Sequence, residues 1–195
     1  RNAGTGYAGI APASGNGNFI CSRPKEKGFT IEQKNIEDKD VTLEGIPDQV
    51  YIGREIEPSL KIYWGVDEVT LTEADYSATL GPNMQVGIVE VTIEGTGNYK
   101  GTLQTAFRIV PVNLSDITLE YEKNPRYEDG RLPWTGKQIR PNVTMTYYST
   151  AGELITITSN EAWGCTVTYG ANQMIGPSTG SIRLAADANG NCVGD

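Results

Sequence analysis

Apolar and polar side chains alternate one for one through much of this sequence, most clearly over 86–109. Val89, Val91 and Ile93 alternate with Glu90, Thr92 and Glu94, the period of a strand with one face buried. Gly95-Thr-Gly97-Asn98-Tyr99 interrupts the alternation with residue types that tolerate the positive φ of tight turns. Leu103, Thr105, Phe107 and Ile109 then restore it. The pattern predicts strand, glycine turn, strand. Comparable short alternations recur about every ten residues between Gly, Pro and Asn signals, the spacing of an all-β sandwich or barrel. No window holds a sustained 3.6-residue apolar period, so almost no helix is expected.

The same phrases return along the chain, the mark of an internal repeat. Val50-Tyr51-Ile-Gly53-Arg54-Glu-Ile56-Glu-Pro58 comes back as Pro133-Trp134-Thr-Gly136-Lys137-Gln-Ile139-Arg-Pro141. Leu60-x-Ile62-x-Trp64 matches Val143-x-Met145-x-Tyr147. Tyr76 through Gly87 matches Cys165 through Gly176, and 87–99 matches 180–192 after the insertion Pro177-Ser-Thr-Gly180. Phe29-Thr-Ile31 parallels Phe107-Arg-Ile109, and Gly15-Asn-Gly17-Asn18-Phe19 is a third glycine turn. The expected organisation is the end of a preceding repeat over 1–33, a complete repeat over 34–111, and a second over 112–195 that lacks its closing strand. Two explanations stay open for that strand: the chain is cut from a longer protein, or a neighbouring subunit supplies it by β-augmentation. The linkers at 32–35 and 110–113 are short, and the second holds Pro111, which favours a semi-rigid rod.

Composition narrows the chemistry. The chain has 195 residues, 38% of them hydrophobic, with 23 Gly, 10 Pro and a formal charge of −8. Lys and Arg are scattered rather than clustered, so a nucleic-acid partner is not expected. No run approaches the ~18 apolar residues of a membrane span, so this segment is not expected to insert in a membrane. Histidine is absent, which removes Ser-His-Asp and Cys-His nucleophiles and His-containing zinc sites. No catalytic residue, metal ligand or cofactor is expected.

Cys165 and Cys192 stand where the 34–111 repeat has Tyr76 and Tyr99. Two equivalent positions that change together are expected to face each other across adjacent strands, within the ~7 Å between Cα atoms that a disulfide requires. Such a bridge implies an oxidising compartment. Cys21 is left over. Asp187-x-Asn189-x-Asn191-x-x-x-Asp195 spaces oxygens like a calcium loop, but Cys192 occupies the position that needs glycine, and turn chemistry explains these residues more simply. Gly95-x-Gly97 precedes a strand, not the helix a phosphate loop feeds. The acid pairs Glu55/Glu57 and Asp38/Asp40 read as solvated faces. Asn113-Leu-Ser and Asn142-Val-Thr are glycosylation sequons. Most aromatics, Trp134 included, recur at equivalent positions on inward parity and are expected in the core. Trp163 aligns with Ala74 and is the one aromatic to test for ligand stacking.

Tyr51-x-Gly53-Arg54-x-Ile56-x-Pro58, Asp75-Tyr76, Asn83, Val86-Gly87 and Gly95-x-Gly97-Asn98-Tyr99-x-Gly101-Thr102 followed by Phe107-x-Ile109 together resemble the tandem Ig-like repeats of large bacterial surface and secreted proteins, related to the YDG or MBG type. The resemblance covers nearly the whole chain, most strongly 46–109. It implies an extracellular β-sandwich serving as stalk, spacer or adhesive module, without catalytic residues. Its implied partners are neighbouring repeats and a host protein or glycan. Two other functions remain: a filament or virion-like subunit closed by a neighbour's strand, and an accessory module of a secreted hydrolase.

Overall fold

The computed structural model of the chain describes residues 3–10, 25–65, 68–124, 126, 130–158, 164–176, 180–186, 188 and 190–194. Strands β1 (Gly4–Ile10) and β2 (Lys25–Ile31) come first. Then follow β3 (Lys34–Asn35), β4 (Val41–Leu43), β5 (Gln49–Val50), β6 (Ile62–Trp64), β7 (Val69–Thr70), β8 (Tyr76–Leu80), β9 (Gly87–Gly95), β10 (Tyr99–Lys100) and β11 (Thr102–Val110). β12 (Val112–Asn113) leads into a 3-10 turn, Leu114–Asp116. The last strands are β13 (Thr118–Tyr121), β14 (Val143–Tyr148), β15 (Leu154–Thr158), β16 (Cys165–Tyr169), β17 (Ile182–Ala186) and β18 (Cys192–Val193). The fold is all-β.

Hydrogen-bonded neighbours run β5-β11-β9-β8 in one sheet, and β4-β6-β7 and β13-β14-β15 in two others. β1 pairs with β2 and β16 with β17. Two short pairs are parallel: β3 with β10, and β12 with β18. β9 earns its place through its alternation, since Val89, Val91 and Ile93 are buried and the intervening side chains are mostly exposed. The turn after it closes by Tyr99 N–H donating to the Thr96 carbonyl and Gly95 N–H to the Gly101 carbonyl, both at 3.0 Å. Gly97 at φ +62° and Gly101 at +94° supply the left-handed backbone that this turn needs.

The chain forms two compact units. The first contains Arg1–Gly45, Ser59–Leu80 and Val91–Thr105, with Ile36, Ile62, Leu71, Val91 and Ile93 as its buried apolar residues. The second contains Ile46–Pro58, Gly81–Glu90 and Ala106–Asp195. Its buried set includes Tyr51, Ile56, Val89, Phe107, Ile109, Val112, Val143, Met145, Tyr147, Ile155, Ile157 and Cys192. It therefore takes residues from both stretches that the sequence reads as separate repeats.

Strand register refines the match between those stretches. Leu80 stands opposite Val91 and Tyr76 opposite Gly95. Tyr169 stands opposite Ile182 and Cys165 opposite Ala186. Ile182 thus plays the part of Val91, two residues away from the pairing that sequence matching suggests. Two of the four inserted residues precede β17, and two lengthen the turn after it. A two-residue slip keeps the side-chain parity, so the inward positions Ile182 and Leu184 are unchanged.

Gly101 offers a test of the turn. A Cβ there would collide with Asn35 Oδ1, which accepts the Glu37 N–H at 3.1 Å. Gly101→Ala is expected to lower stability by roughly 1–3 kcal/mol. Gly45→Ala, where a Cβ meets nothing within 4 Å, is expected to stay within about 0.5 kcal/mol. Urea denaturation of both variants measures the difference.

Candidate functional site

β16 turns Cys165, Val167 and Tyr169 to one half-buried face. Cys192 lies on β18, held in place because β18 runs parallel to β12, with Val112 opposite Cys192 and the Val112 N–H donating to the Asn191 carbonyl at 3.0 Å. This brings Cys165 and Cys192 together as a disulfide, their Cα atoms 5.8 Å apart across a separation of 27 residues. The cystine ties β16 to the pair that starts the 112–195 stretch. At the corresponding place in 34–111, the Trp64 indole N–H donates to the Tyr99 hydroxyl at 3.1 Å. Tyr76 is partly buried, and burial with the nearby Glu73 raises its pKa.

Beside the cystine, the Asn191 side chain is buried and lies over Gly164, where a Cβ would come within 2.6 Å of Asn191 Cβ. Its Nδ2 donates to Gln85 Oε1 at 3.1 Å, and its Oδ1 has no hydrogen-bond partner among the described residues.

Within the second unit, loop residues of the two stretches lock together. The Tyr147 hydroxyl donates to the Tyr51 carbonyl at 2.7 Å, with both rings buried. Thr150 Oγ1 accepts the Val50 N–H at 2.9 Å and donates to the Asp48 carbonyl at 3.1 Å. Arg54 pairs with Glu153 at the exposed rim. The Tyr147–Tyr51 bond is buried, whereas the Thr150 bonds and the Arg54–Glu153 pair are exposed and contribute less.

Trp134 overturns its expected place in the core. It occupies the position of Tyr51 yet is 62% exposed, against 4% for Tyr51. Tyr51 is covered because its N–H donates to Val110 on β11 and Tyr147 sits on its carbonyl. Among the described residues Trp134 has neither kind of cover; its indole donates to the Gln173 carbonyl at 3.3 Å. Met174 and Ile175 are also exposed. Inward parity places a side chain on the core face, but burial requires something to lie over it.

Among the described residues the charged side chains form ion pairs at the surface. Asp38 and Asp40 both bind Lys34 Nζ, at 2.8 and 2.6 Å, and Lys34 lies 5.7 Å from the centre of the Trp64 ring. Hydrogen bonding to the two carboxylates raises the Lys34 pKa, and the ammonium lowers that of Asp40. Glu55 and Glu57 are exposed. Among the described residues no three His, Cys, Asp or Glu side chains converge to hold a metal, and no helix is long and apolar enough to cross a membrane. Trp163, Cys21, Asp187, Asn189 and Asp195 lie outside the described residues. Comparison of the chain with protein-family models, curated proteins and solved structures finds no match.

The junction around Tyr147 was not singled out from sequence. Its only signal is that Arg54 and Lys137 keep the same spacing from an aromatic.

Two outcomes follow from this geometry. Replacing both cysteines by serine should cost about 3.5 kcal/mol on the chain-entropy treatment of a loop this long, and reductant should lower the unfolding free energy of the native chain by the same amount. Two free thiols found by mass spectrometry without reductant would refute the bridge. Tyr147→Phe, which removes only the hydroxyl, should cost about 1 kcal/mol; an unchanged urea midpoint would show that the bond to Tyr51 contributes nothing.

Proposed function

We propose that the chain is a non-catalytic extracellular structural module. It consists of Ig-like β-sandwich repeats in tandem, 34–111 and 112–195, following the end of another over 1–33. Its role is that of a stalk or spacer in a large bacterial surface or secreted protein, holding other parts away from the cell and presenting loops to a host protein or glycan.

The observation that carries this reading is the recurrence of one junction, atom for atom. Lys34 N–H donates to the Asn98 carbonyl at 2.9 Å, and Val112 N–H to that of Asn191 at 3.0 Å. In each case the following asparagine caps its own loop: Asn35 Oδ1 takes the Glu37 N–H and Asn113 Oδ1 the Ser115 N–H, both at 3.1 Å. A second device is repeated too. Asn83 Nδ2 donates to the Ile56 carbonyl at 3.0 Å and Asn172 Nδ2 to the Ile139 carbonyl at 3.0 Å, while the Ile56 and Ile139 N–H groups donate back to the asparagine carbonyls at 3.2 Å. Two stretches that reuse the same capping chemistry in the same chain order are what repetition would produce, which suits a spacer built by adding units.

Mechanically, each stretch begins on a strand that runs parallel to a strand near its end. Tension along the chain loads these hydrogen bonds together, in shear, rather than peeling them one at a time. The cystine adds a covalent stop in the second stretch and fits export to an oxidising compartment.

Single-molecule pulling of the full chain tests the reading. Two successive unfolding events are expected, and reduction should lengthen one of them by about 90 Å, the extended length of the 27-residue loop. A single rupture for the whole chain would overturn tandem repeats as the mechanical unit. Turnover of any glycan on a polysaccharide panel would overturn the non-catalytic part.

A further inference from the structure

We propose that the Thr135–Gly136 peptide bond is a transpeptidation site, cut by a cysteine transpeptidase that joins Thr135 to a primary amine. The recognition sequence and its presentation lie together on one exposed connection.

The connection between β13 and β14 contains Leu132-Pro133-Trp134-Thr135-Gly136. This is the pattern Leu-Pro-x-Thr-Gly, which thiol transpeptidases read before cutting between threonine and glycine. The residue types suit that chemistry. Pro133 fixes its own φ and biases Leu132 toward extended backbone, so the two enter a groove with little freedom left to lose. Trp134 stands at the position that the pattern leaves open. Gly136 presents no Cβ on the leaving side of the bond and holds φ at +75°.

The fold presents this segment to solvent. Pro133 through Gly136 are exposed and Leu132 is half-buried. Among the described residues no backbone group of 132–137 shares a backbone hydrogen bond. The Thr135 hydroxyl donates to the Lys137 carbonyl at 3.2 Å and accepts the Lys137 N–H at 3.3 Å. The Trp134 indole N–H donates to the Gln173 carbonyl at 3.3 Å. These three long bonds involve exposed groups, so drawing the segment out into a groove costs little. The connection is anchored at both ends where β13 pairs with β14, with Tyr121 opposite Val143, so local opening leaves the sheet intact.

The enzyme's thiolate adds to the Thr135 carbonyl carbon. Collapse of the tetrahedral adduct breaks the Thr135–Gly136 C–N bond, and Gly136 leaves as an amine with a proton from the enzyme's general acid. An acceptor amine then attacks the thioester, gives up a proton and restores the thiolate. One amide replaces another, with no oxidation or reduction. The β13–β14 ladder spans the cut, pairing Thr118 through Tyr121 with Thr146 through Val143, so the two pieces separate only on denaturation.

The test incubates the full-length chain with a purified transpeptidase specific for Leu-Pro-x-Thr-Gly and triglycine bearing a carboxyl-terminal fluorophore. Denaturing electrophoresis and intact mass read the products. Labelled 1–135 and a released piece beginning at Gly136 are expected, at a rate within roughly tenfold of that for a synthetic peptide of residues 130–138. Thr135→Ala should slow labelling by roughly tenfold or more. Lys137→Ala, outside the pentapeptide, should leave the rate within about twofold. That contrast separates recognition of the pentapeptide from general nicking of an exposed connection. An unlabelled peptide overturns the reading of the sequence, and a labelled peptide beside an unlabelled chain overturns its presentation. Labelling that survives Thr135→Ala overturns the proposal as well. None of these results touches the two unfolding events expected of tandem repeats.

Discussion

The start of each stretch is held by a pair of residues running parallel to a strand near its end, and most other features depend on that closure. β3 lies on β10, and β12 lies on β18. The strand that receives the pairing follows a glycine turn or its longer counterpart. Those turns are therefore more than reversals of direction. Gly95 through Gly101 forms a docking edge whose carbonyls at Asn98 and Lys100 receive Lys34 and Ile36. A left-handed glycine is needed where Asn35 presses against Gly101 and where Asn113 presses against Gly194. Closure far along the chain carries a loop-entropy cost, and the cystine offsets part of it in the second stretch by fixing the receiving strand covalently.

How far this could be read from sequence varied with the range of the interaction. Period-two alternation located β9 and β11, because alternation records which face is buried. The twin replacement of Tyr76 and Tyr99 by cysteine pointed to the bridge, because only neighbours gain from changing together. Trp134 went wrong for a physical reason. Its parity is inward, but parity cannot say whether Val110 and Tyr147 have equivalents that cover it. The two-residue slip of β17 was equally invisible, since a shift by two leaves every side chain on its own face. The Tyr147 junction depends on a hydroxyl meeting a backbone carbonyl, and a carbonyl leaves no trace in residue identity.

The chemistry is consistent in its restraint. Charges sit at rims, as in Lys34 with Asp38 and Asp40 and in Arg54 with Glu153, where water screens them and they set geometry more than stability. The shifts at Lys34 and Asp40 arise from mutual hydrogen bonds within an exposed cluster.

Uneven burial gives the chain its direction. Val91, Ile93, Phe107 and Ile109 are buried, while their counterparts Ile182, Leu184, Phe29 and Ile31 are not. The covered set shows that this type of sequence can bury these positions completely. Apolar area left open next to unpaired strand edges draws in another strand. On β2, Phe29 and Ile31 stand opposite Gly6 and Gly4 of β1, which leave them partly exposed. Any polypeptide closing β17 must present apolar side chains at alternate positions with a free ladder edge.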